Sequence, residues 1–202
     1  MLIIESQYFS SISAFKSLCE HGYAKIDQYE NFTKGSFRNR CMVLGGNGVI
    51  SFTVPIAGGR EQKLRMKDIR IDYSESWQRS HIRTLATSYN NSPFYHHYKS
   101  EIDTLIASGP KFLIDLNYTI LDRIITLLRL DIHVGLTSEY KAGYENASDY
   151  RNMLTPKNYQ TQAGVPRYAQ VFADRFGFQP NLSILDLLFC EGPNSGELLN
   201  NR

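Results

Sequence analysis

The first 26 residues read MLIIESQYFSSISAFKSLCEHGYAKI, and they hold the pattern that decides the fold class. A short apolar run over residues 1–5 predicts a buried strand. Ser10 and Ser11 can cap a helix whose apolar side chains recur at three- and four-residue spacing until Gly22. Residues 23–26 then predict a second short strand. This order of strand, helix and strand favours an α/β fold, with α+β as the alternative.

The next segment, residues 36–56, has the sequence of a β-hairpin. Its alternation predicts a strand on which Arg38 and Arg40 share one face. The turn sequence Gly45-Gly46-Asn47-Gly48 then separates it from a second strand that runs to Ile56. A further strand is expected over residues 67–72.

The second half of the chain is predicted to be mainly helical. Three helices are expected, with Ser74 as the N-cap of the first, over residues 75–89, 94–107 and 111–130. Residues 132–136 predict one more strand, and the tyrosine-rich residues 141–168 predict a mobile loop or lid. The apolar residues 182–190 must be buried. We therefore expect one domain, residues 1–202, in which a central sheet from the N-terminal third is covered by the helices after residue 74.

Composition places the 202-residue chain among soluble globular proteins. Its 42% hydrophobic and 21% charged residues exclude disordered, collagen-like and coiled-coil classes. The net charge of +2 is too balanced for wholesale binding to nucleic acid or membranes. Neither a membrane span nor a signal peptide is predicted, because the apolar runs are too short. Three widely spaced cysteines without a CxxC pair predict reduced thiols in a cytoplasmic protein.

The net charge hides an uneven distribution along the chain. Residues 34–70 carry eight basic and two acidic side chains, a local charge of +6. Arg38 and Arg40 on one strand face could hold a phosphate or a carboxylate. Two other interpretations stay open: a solvated outer face that protects a sheet edge, and an RNA-binding surface. RNA is disfavoured because stacking aromatic residues do not alternate with these charges.

His81 is the strongest candidate for chemistry, and it lies one helical turn after Trp77 on the same face. A histidine here could act as a general base or donate a hydrogen bond to an anion, and it could equally be a packed structural residue. Cys41 could be a nucleophile with His81 as its base, but alternation places this thiol opposite the arginines, which favours burial.

Asn117 interrupts the apolar stripe of the helix predicted over residues 111–130. A buried asparagine needs hydrogen-bond partners, so we expect it to brace a loop or a site. The adjacent His96 and His97 lack further ligands at a suitable spacing, and P-loop, GxSxG and HExxH motifs are missing from the sequence. No metal and no cofactor are therefore predicted.

An ordered set of short motifs, covering nearly the whole chain, resembles the WbqC-like protein family of bacteria. In chain order the motifs are Tyr8-Phe9, Ser36-Phe37-Arg38-Asn39-Arg40, Phe52-Thr53-Val54-Pro55, Ile71-Asp72, Ser74-x-x-Trp77-x-x-x-His81, Ser92-Pro93-Phe94-Tyr95 and Asp115-Leu116-Asn117. The segment from Phe178 to Asn194 is similar to one branch of that family.

The resemblance implies a role in the synthesis of surface polysaccharide. The family is associated with O-antigen genes, which implies modification of a sugar or sugar-nucleotide precursor by acyl or aminoacyl transfer. Most members carry His-Gln-Pro-x-Tyr-Phe/Leu-Pro after the first strand. Here that segment reads Ile4-Glu5-Ser6-Gln7-Tyr8-Phe9-Ser10 and keeps only Tyr-Phe.

Together, the residues and the resemblance predict a cytoplasmic enzyme of transferase type. Its partner would be a phosphate- or carboxylate-bearing small molecule, such as a nucleotide sugar or an acyl donor. His81 would transfer a proton, oriented by Asp72 or Asn39. The substrate would be bound by Tyr8, Arg38, Asn39, Arg40, Thr53 and Trp77. The alternative, favoured by the altered N-terminal motif, is a non-catalytic binding or scaffold protein that keeps the family fold.

Overall fold

The computed structural model describes residues 1–59 and 63–200, and the strands of this part of the chain form two sheets. They are β1 (Leu2–Glu5), β2 (Tyr23–Asp27), β3 (Arg40–Gly45), β4 (Gly48–Thr53), β5 (His133–Leu136) and β6 (Ser148–Asp149). The larger sheet is entirely parallel and has the order β5-β2-β1-β6. The smaller one is the antiparallel hairpin of β3 and β4.

Helices account for most of the remaining regular structure. They are α1 (Ile12–His21), α2 (Trp77–Tyr89), α3 (Tyr95–Ala107), α4 (Leu113–Leu127), α5 (Ala173–Phe176), α6 (Ile184–Glu191) and α7 (Ser195–Asn200). The parallel sheet flanked by helices confirms the predicted α/β class. In residues 1–59 and 63–200, no helix combines the length and the apolar character that a membrane crossing needs.

The β1-α1-β2 unit forms for the local reasons visible in the sequence. Ser11 caps α1 by accepting a hydrogen bond from the backbone N–H of Ala14 at 3.3 Å. Gly22 ends the helix in the left-handed region, at φ 64°, which favours glycine. The chain then returns as β2, with Ile4 of β1 beside Ile26. All four residues of β1 are buried, as the apolar run predicted.

Two segments that the sequence predicts as strands are different in the structure. Residues 37–39 form a short 3₁₀ turn in which Arg38 lies, so the prediction that Arg38 and Arg40 share a strand face is wrong. Residues 67–72 form no strand either. Ile71 pairs with Ile56 while the adjacent Arg70 pairs with Phe112, and such single bridges to different segments do not make a ladder.

The predicted N-cap of α2 and the composition of the larger sheet also need correction. Ser74 does not cap α2, because its backbone N–H is held by the Asp72 carboxylate at 2.8 Å, ahead of the helix start at Trp77.

Two strands of the larger sheet, β5 and β6, come from the second half of the chain. The segment 141–168 is therefore not only a loop, since β6 pairs with β1.

The loop after β1 joins the two sheets and positions the candidate site. The backbone N–H of Tyr8 donates to the carbonyl of Phe37 at 3.0 Å, next to the hairpin. Ser183, at the start of α6, donates its hydroxyl to the Phe9 carbonyl at 2.9 Å. The Asn117 amide donates to both the Ser6 hydroxyl and the Arg38 carbonyl at 2.8 Å, which confirms the predicted bracing role of Asn117.

Candidate functional site

A groove of about 670 Å³ lies between β4 with its following loop and the N-terminal half of α2. The hairpin side contributes backbone and side chains of residues 50–56, together with Asn39. The helix side contributes residues 75–77, Ser80, His81 and Thr84. The volume falls in the range typical of pockets for small molecules and cofactors.

His81 and Tyr8 form a buried pair at this groove. The Tyr8 hydroxyl and the Nδ1 atom of His81 are 3.1 Å apart, within hydrogen-bond distance. The His81 ring stacks on Phe52 with a centroid distance of 4.3 Å and an interplanar angle of 5°, and Trp77 contacts it edge-on at 5.3 Å. Since Nδ1 is engaged by Tyr8, Nε2 is the nitrogen that can serve a ligand.

Burial sets the protonation states of both members of the pair. The aromatic surroundings of His81 exclude water from the charged form, which lowers its pKa from 6.5 to about 4. Burial likewise raises the pKa of the Tyr8 hydroxyl well above its usual value of 10. At neutral pH the pair is therefore a neutral imidazole and a protonated phenol.

The lowered pKa of His81 predicts that the folded protein loses stability in acid. Below pH 6.5 the unfolded chain takes up a proton at His81 while the folded chain does not, so acid favours unfolding. The lost stability should approach about 3 kcal/mol as the pH falls from 6.5 to 4. Urea unfolding of the wild type and of His81→Gln across this range measures it. The variant should lack this component, and equal pH dependence in the two proteins would contradict the assignment.

Two other buried side chains at the groove present polar atoms that lack partners. The Asn39 amide nitrogen donates to the Val54 carbonyl at 2.9 Å, but its Oδ1 atom has no hydrogen-bond partner among the described residues. The same holds for the indole Nε1 of Trp77. Both side chains are at least nine-tenths buried. Buried polar atoms without partners are rare in proteins and are frequent features of functional sites.

The structure brings together most of the residues that the sequence singled out. Asn39, Thr53, Trp77 and His81 all line the groove. Tyr8 is fully buried and touches His81, so it lies behind the groove wall. Arg40 is directly opposite Thr53 in the hairpin register, so both side chains leave the same face of the hairpin.

Two predicted site residues are placed elsewhere. Asp72 accepts the backbone N–H of Ser74, while the described side-chain partner of His81 is Tyr8, so the structure does not pair Asp72 with His81. Arg38 is 1% exposed and its guanidinium forms two hydrogen bonds with Glu30, at 2.8 and 2.6 Å. A third, at 2.9 Å, goes to Asn152. This side chain is held inside the protein by its own partners.

The sequence prediction named Thr53 but missed the other hydroxyl side chains of the groove walls. Ser51 stands with Thr53 on the hairpin side, Ser80 and Thr84 stand on α2, and Ser76 immediately precedes that helix. Ser76, Ser80 and Thr84 follow one another at four-residue spacing, a pattern that places them on one helix face. This spacing was present in the sequence and could have identified the face.

Cys41 is not a candidate nucleophile in this structure. Its thiol is 2% exposed, as the alternation predicted, and burial raises its pKa far above the usual value. Among residues 1–59 and 63–200, no group of three or more histidine, cysteine or acidic side chains is arranged to hold a metal ion.

Comparisons with known proteins identify the family of the chain. The searches of curated proteins and of solved structures found no match. The model of the WbqC-like protein family matches residues 7–156 and 142–198, which include every residue assigned to the groove above. The chain therefore belongs to the WbqC-like protein family.

Proposed function

We propose that the groove binds an anionic sugar or nucleotide-sugar precursor of cell-envelope polysaccharide and that the protein transfers an acyl or aminoacyl group to it. The observation that carries this proposal is the neutral His81–Tyr8 pair in a groove with hydroxyl-bearing walls. The chain's membership in the WbqC-like family supports the substrate class through the role in surface-polysaccharide synthesis that the resemblance implies.

The polar atoms of the groove suit a sugar. Each sugar hydroxyl donates one hydrogen bond and accepts others, so it can pair with serine and threonine hydroxyls on either wall. The buried Oδ1 of Asn39 requires a donor and the buried Nε1 of Trp77 requires an acceptor. Sugar hydroxyls both donate and accept hydrogen bonds, so they offer both kinds of partner.

The charged side chains near the groove would orient the substrate. Arg40, beside Thr53 on the hairpin, is the arginine that we retain for the phosphate or carboxylate of the precursor. Glu75 lines the opposite wall at the start of α2. Its carboxylate repels a phosphate and attracts an ammonium, which fits the amino group of an aminoacyl donor.

In the proposed reaction His81 transfers a proton while the acyl group moves from its donor to the sugar. When Nδ1–H donates to the Tyr8 oxygen, Nε2 holds a lone pair that accepts the proton of a sugar hydroxyl or amine. The deprotonated atom bonds to the acyl carbon, the bond from that carbon to its carrier breaks, and the leaving atom takes the proton from Nε2. A bound anion raises the low pKa of His81 and so helps this transfer.

The competing function is non-catalytic binding in the same groove. It is favoured by the pKa of about 4, which makes His81 a weak base, and by the altered segment before Tyr8. In that case His81 serves as a hydrogen-bond donor to the ligand. The two functions differ in whether bound substrate is converted to product.

Substitution of Arg40 tests where the anion binds. Arg40→Gln should weaken the binding of a nucleotide sugar about tenfold or more, because one charged hydrogen bond is worth about 1.5–3 kcal/mol. Thermal-shift and calorimetric titrations with a panel of nucleotide sugars measure the change. Arg83→Gln, the same charge change at an exposed position of α2, is the matched control and should bind like the wild type. Equal affinity of both variants would contradict the anion site at Arg40.

A further inference from the structure

A second crevice lies where the strand order of the parallel sheet reverses. The chain leaves β1 toward β2 on one side, while β6 pairs with the other side of β1. At such a switch point the connections after neighbouring strands diverge and leave a crevice at the carboxyl ends, where open α/β sheets bind ligands. Here the two carboxyl ends lead into Gln7 and Tyr150.

A continuous depression occupies this crevice. Its narrow inner part, about 60 Å³, is lined by Gln7 together with the apolar side chains of Ile4, Met153 and Leu154. It widens into an outer part of about 650 Å³, which also has Lys16 at its wall. The two parts share Ser13, Ser17, Tyr150 and Gln162, so they adjoin each other.

Gln7 is the buried polar group at the inner end, and its orientation is fixed. Its Nε2 donates to Oε1 of Glu5 at 2.8 Å, and the other oxygen of Glu5 accepts the backbone N–H of Asn152 at 2.8 Å. Because the carboxylate only accepts, the amide nitrogen of Gln7 must face it. The Oε1 atom of Gln7 is then buried without a hydrogen-bond partner among the described residues, in a side chain that is 4% exposed.

From these contacts we infer that the crevice binds a nucleoside whose base carries an exocyclic amino group, adenine or cytosine. The amino group enters the narrow end and donates to Oε1 of Gln7. Since the inner part measures only about 60 Å³, the ring of the base lies at its mouth beside Tyr150, which lines both parts, and the ribose occupies the outer part. Uracil is disfavoured because it has no exocyclic amino group, and a carbonyl oxygen in its place would face the Oε1 acceptor of Gln7.

This crevice is separate from the groove to which the proposed function is assigned. None of its lining residues lines the groove at His81, and Gln7 and Tyr8 are adjacent in the loop that separates the two. Nucleoside binding can therefore be present or absent whatever happens in the groove. The test below includes a groove variant for this reason.

Calorimetric titration of the full chain with adenosine, cytidine and N6,N6-dimethyladenosine tests the inference. Adenosine or cytidine should bind, and dimethyladenosine, which cannot donate from its amino nitrogen, should bind at least tenfold more weakly than adenosine. Gln7→Leu should weaken nucleoside binding at least tenfold. Ser17→Met, which fills the crevice from a half-buried position of α1 and leaves Gln7 itself unchanged, should do the same.

His81→Gln is the matched control and should bind the nucleoside like the wild type. Failure of both nucleosides to bind at millimolar concentration would overturn the inference. So would equal affinity of the wild type and Ser17→Met, or equal affinity for adenosine and its dimethyl derivative.

Discussion

Replacing Glu30 by alanine is expected to lower the free energy of unfolding by about 3–5 kcal/mol, because it leaves a buried guanidinium without its counter-ion. Arg38 and Glu30 are paired by two hydrogen bonds, and their side chains are 1% and 6% exposed. The expected loss is a large part of the total stability of a typical domain. Burial raises the pKa of Glu30 to about 7, so urea unfolding should be measured at pH 8, where the carboxylate is ionised.

A double variant and a surface variant make this prediction specific. Glu30→Leu combined with Arg38→Met removes both charges and should recover most of the lost stability. Glu101→Ala breaks an ion pair of similar length with Arg123, but those side chains are 36% and 41% exposed, so its cost should stay below about 1 kcal/mol. A cost for Glu30→Ala as small as that of Glu101→Ala would show that Arg38 is not held as described.

Replacing His81 by glutamine is expected to reduce turnover by about 10²- to 10⁴-fold if the groove catalyses acyl transfer. Glutamine keeps hydrogen-bonding capacity at the groove but cannot relay a proton at neutral pH. Substrate affinity should change much less than the rate. Mass spectrometry of acceptor sugars incubated with activated acyl and aminoacyl donors measures product formation, and circular dichroism checks the fold.

Tyr8→Phe is the companion variant, because it removes only the hydroxyl that contacts Nδ1 of His81. We expect a smaller loss of rate, since the imidazole stays in place but loses the partner that fixes its tautomer. Unchanged turnover in His81→Gln would contradict the role of His81 in proton transfer. Binding of the sugars and donors by the wild type without any product would instead support the alternative function, binding without catalysis.

Local sequence signals were enough to predict the elements that are defined locally. The serine cap and the glycine stop of α1 act within a few residues, and the Gly-Asn-Gly turn sets the hairpin. The apolar stripe predicted α4, which spans residues 113–127. Burial of α6 also followed from composition alone, and the structure confirms it.

Pairings between distant segments could not be predicted in the same way. β6 is only two polar residues long, so it has no apolar alternation that would reveal its place beside β1. Arg38 looked like a surface arginine because its partners Glu30 and Asn152 are identified only once the chain is folded. Its position in a charged stretch gave no sign of burial.

The candidate site was predicted in part, for the same physical reason. Trp77 and His81 could be placed on one face because they share a helix. The contact between Tyr8 and His81 joins residues 73 positions apart, which local patterns cannot reveal. That the Oδ1 atom of Asn39 is buried without a partner depends on the packing of the hairpin. Asp72 is close in sequence to α2, but its carboxylate accepts the backbone N–H of Ser74 ahead of the helix.

The most direct test of the proposed site follows the imidazole NMR signal of His81 while the protein is titrated with its proposed ligands. The chain has five histidines, so imidazole ¹H–¹⁵N spectra are simple, and His81→Gln assigns the signal of His81. Titration with a panel of nucleotide sugars at pH 7 should shift that signal selectively, and Arg40→Gln should weaken the response about tenfold or more. A His81 signal that stays unchanged with every nucleotide sugar in the panel would contradict the assignment of the groove as the substrate site.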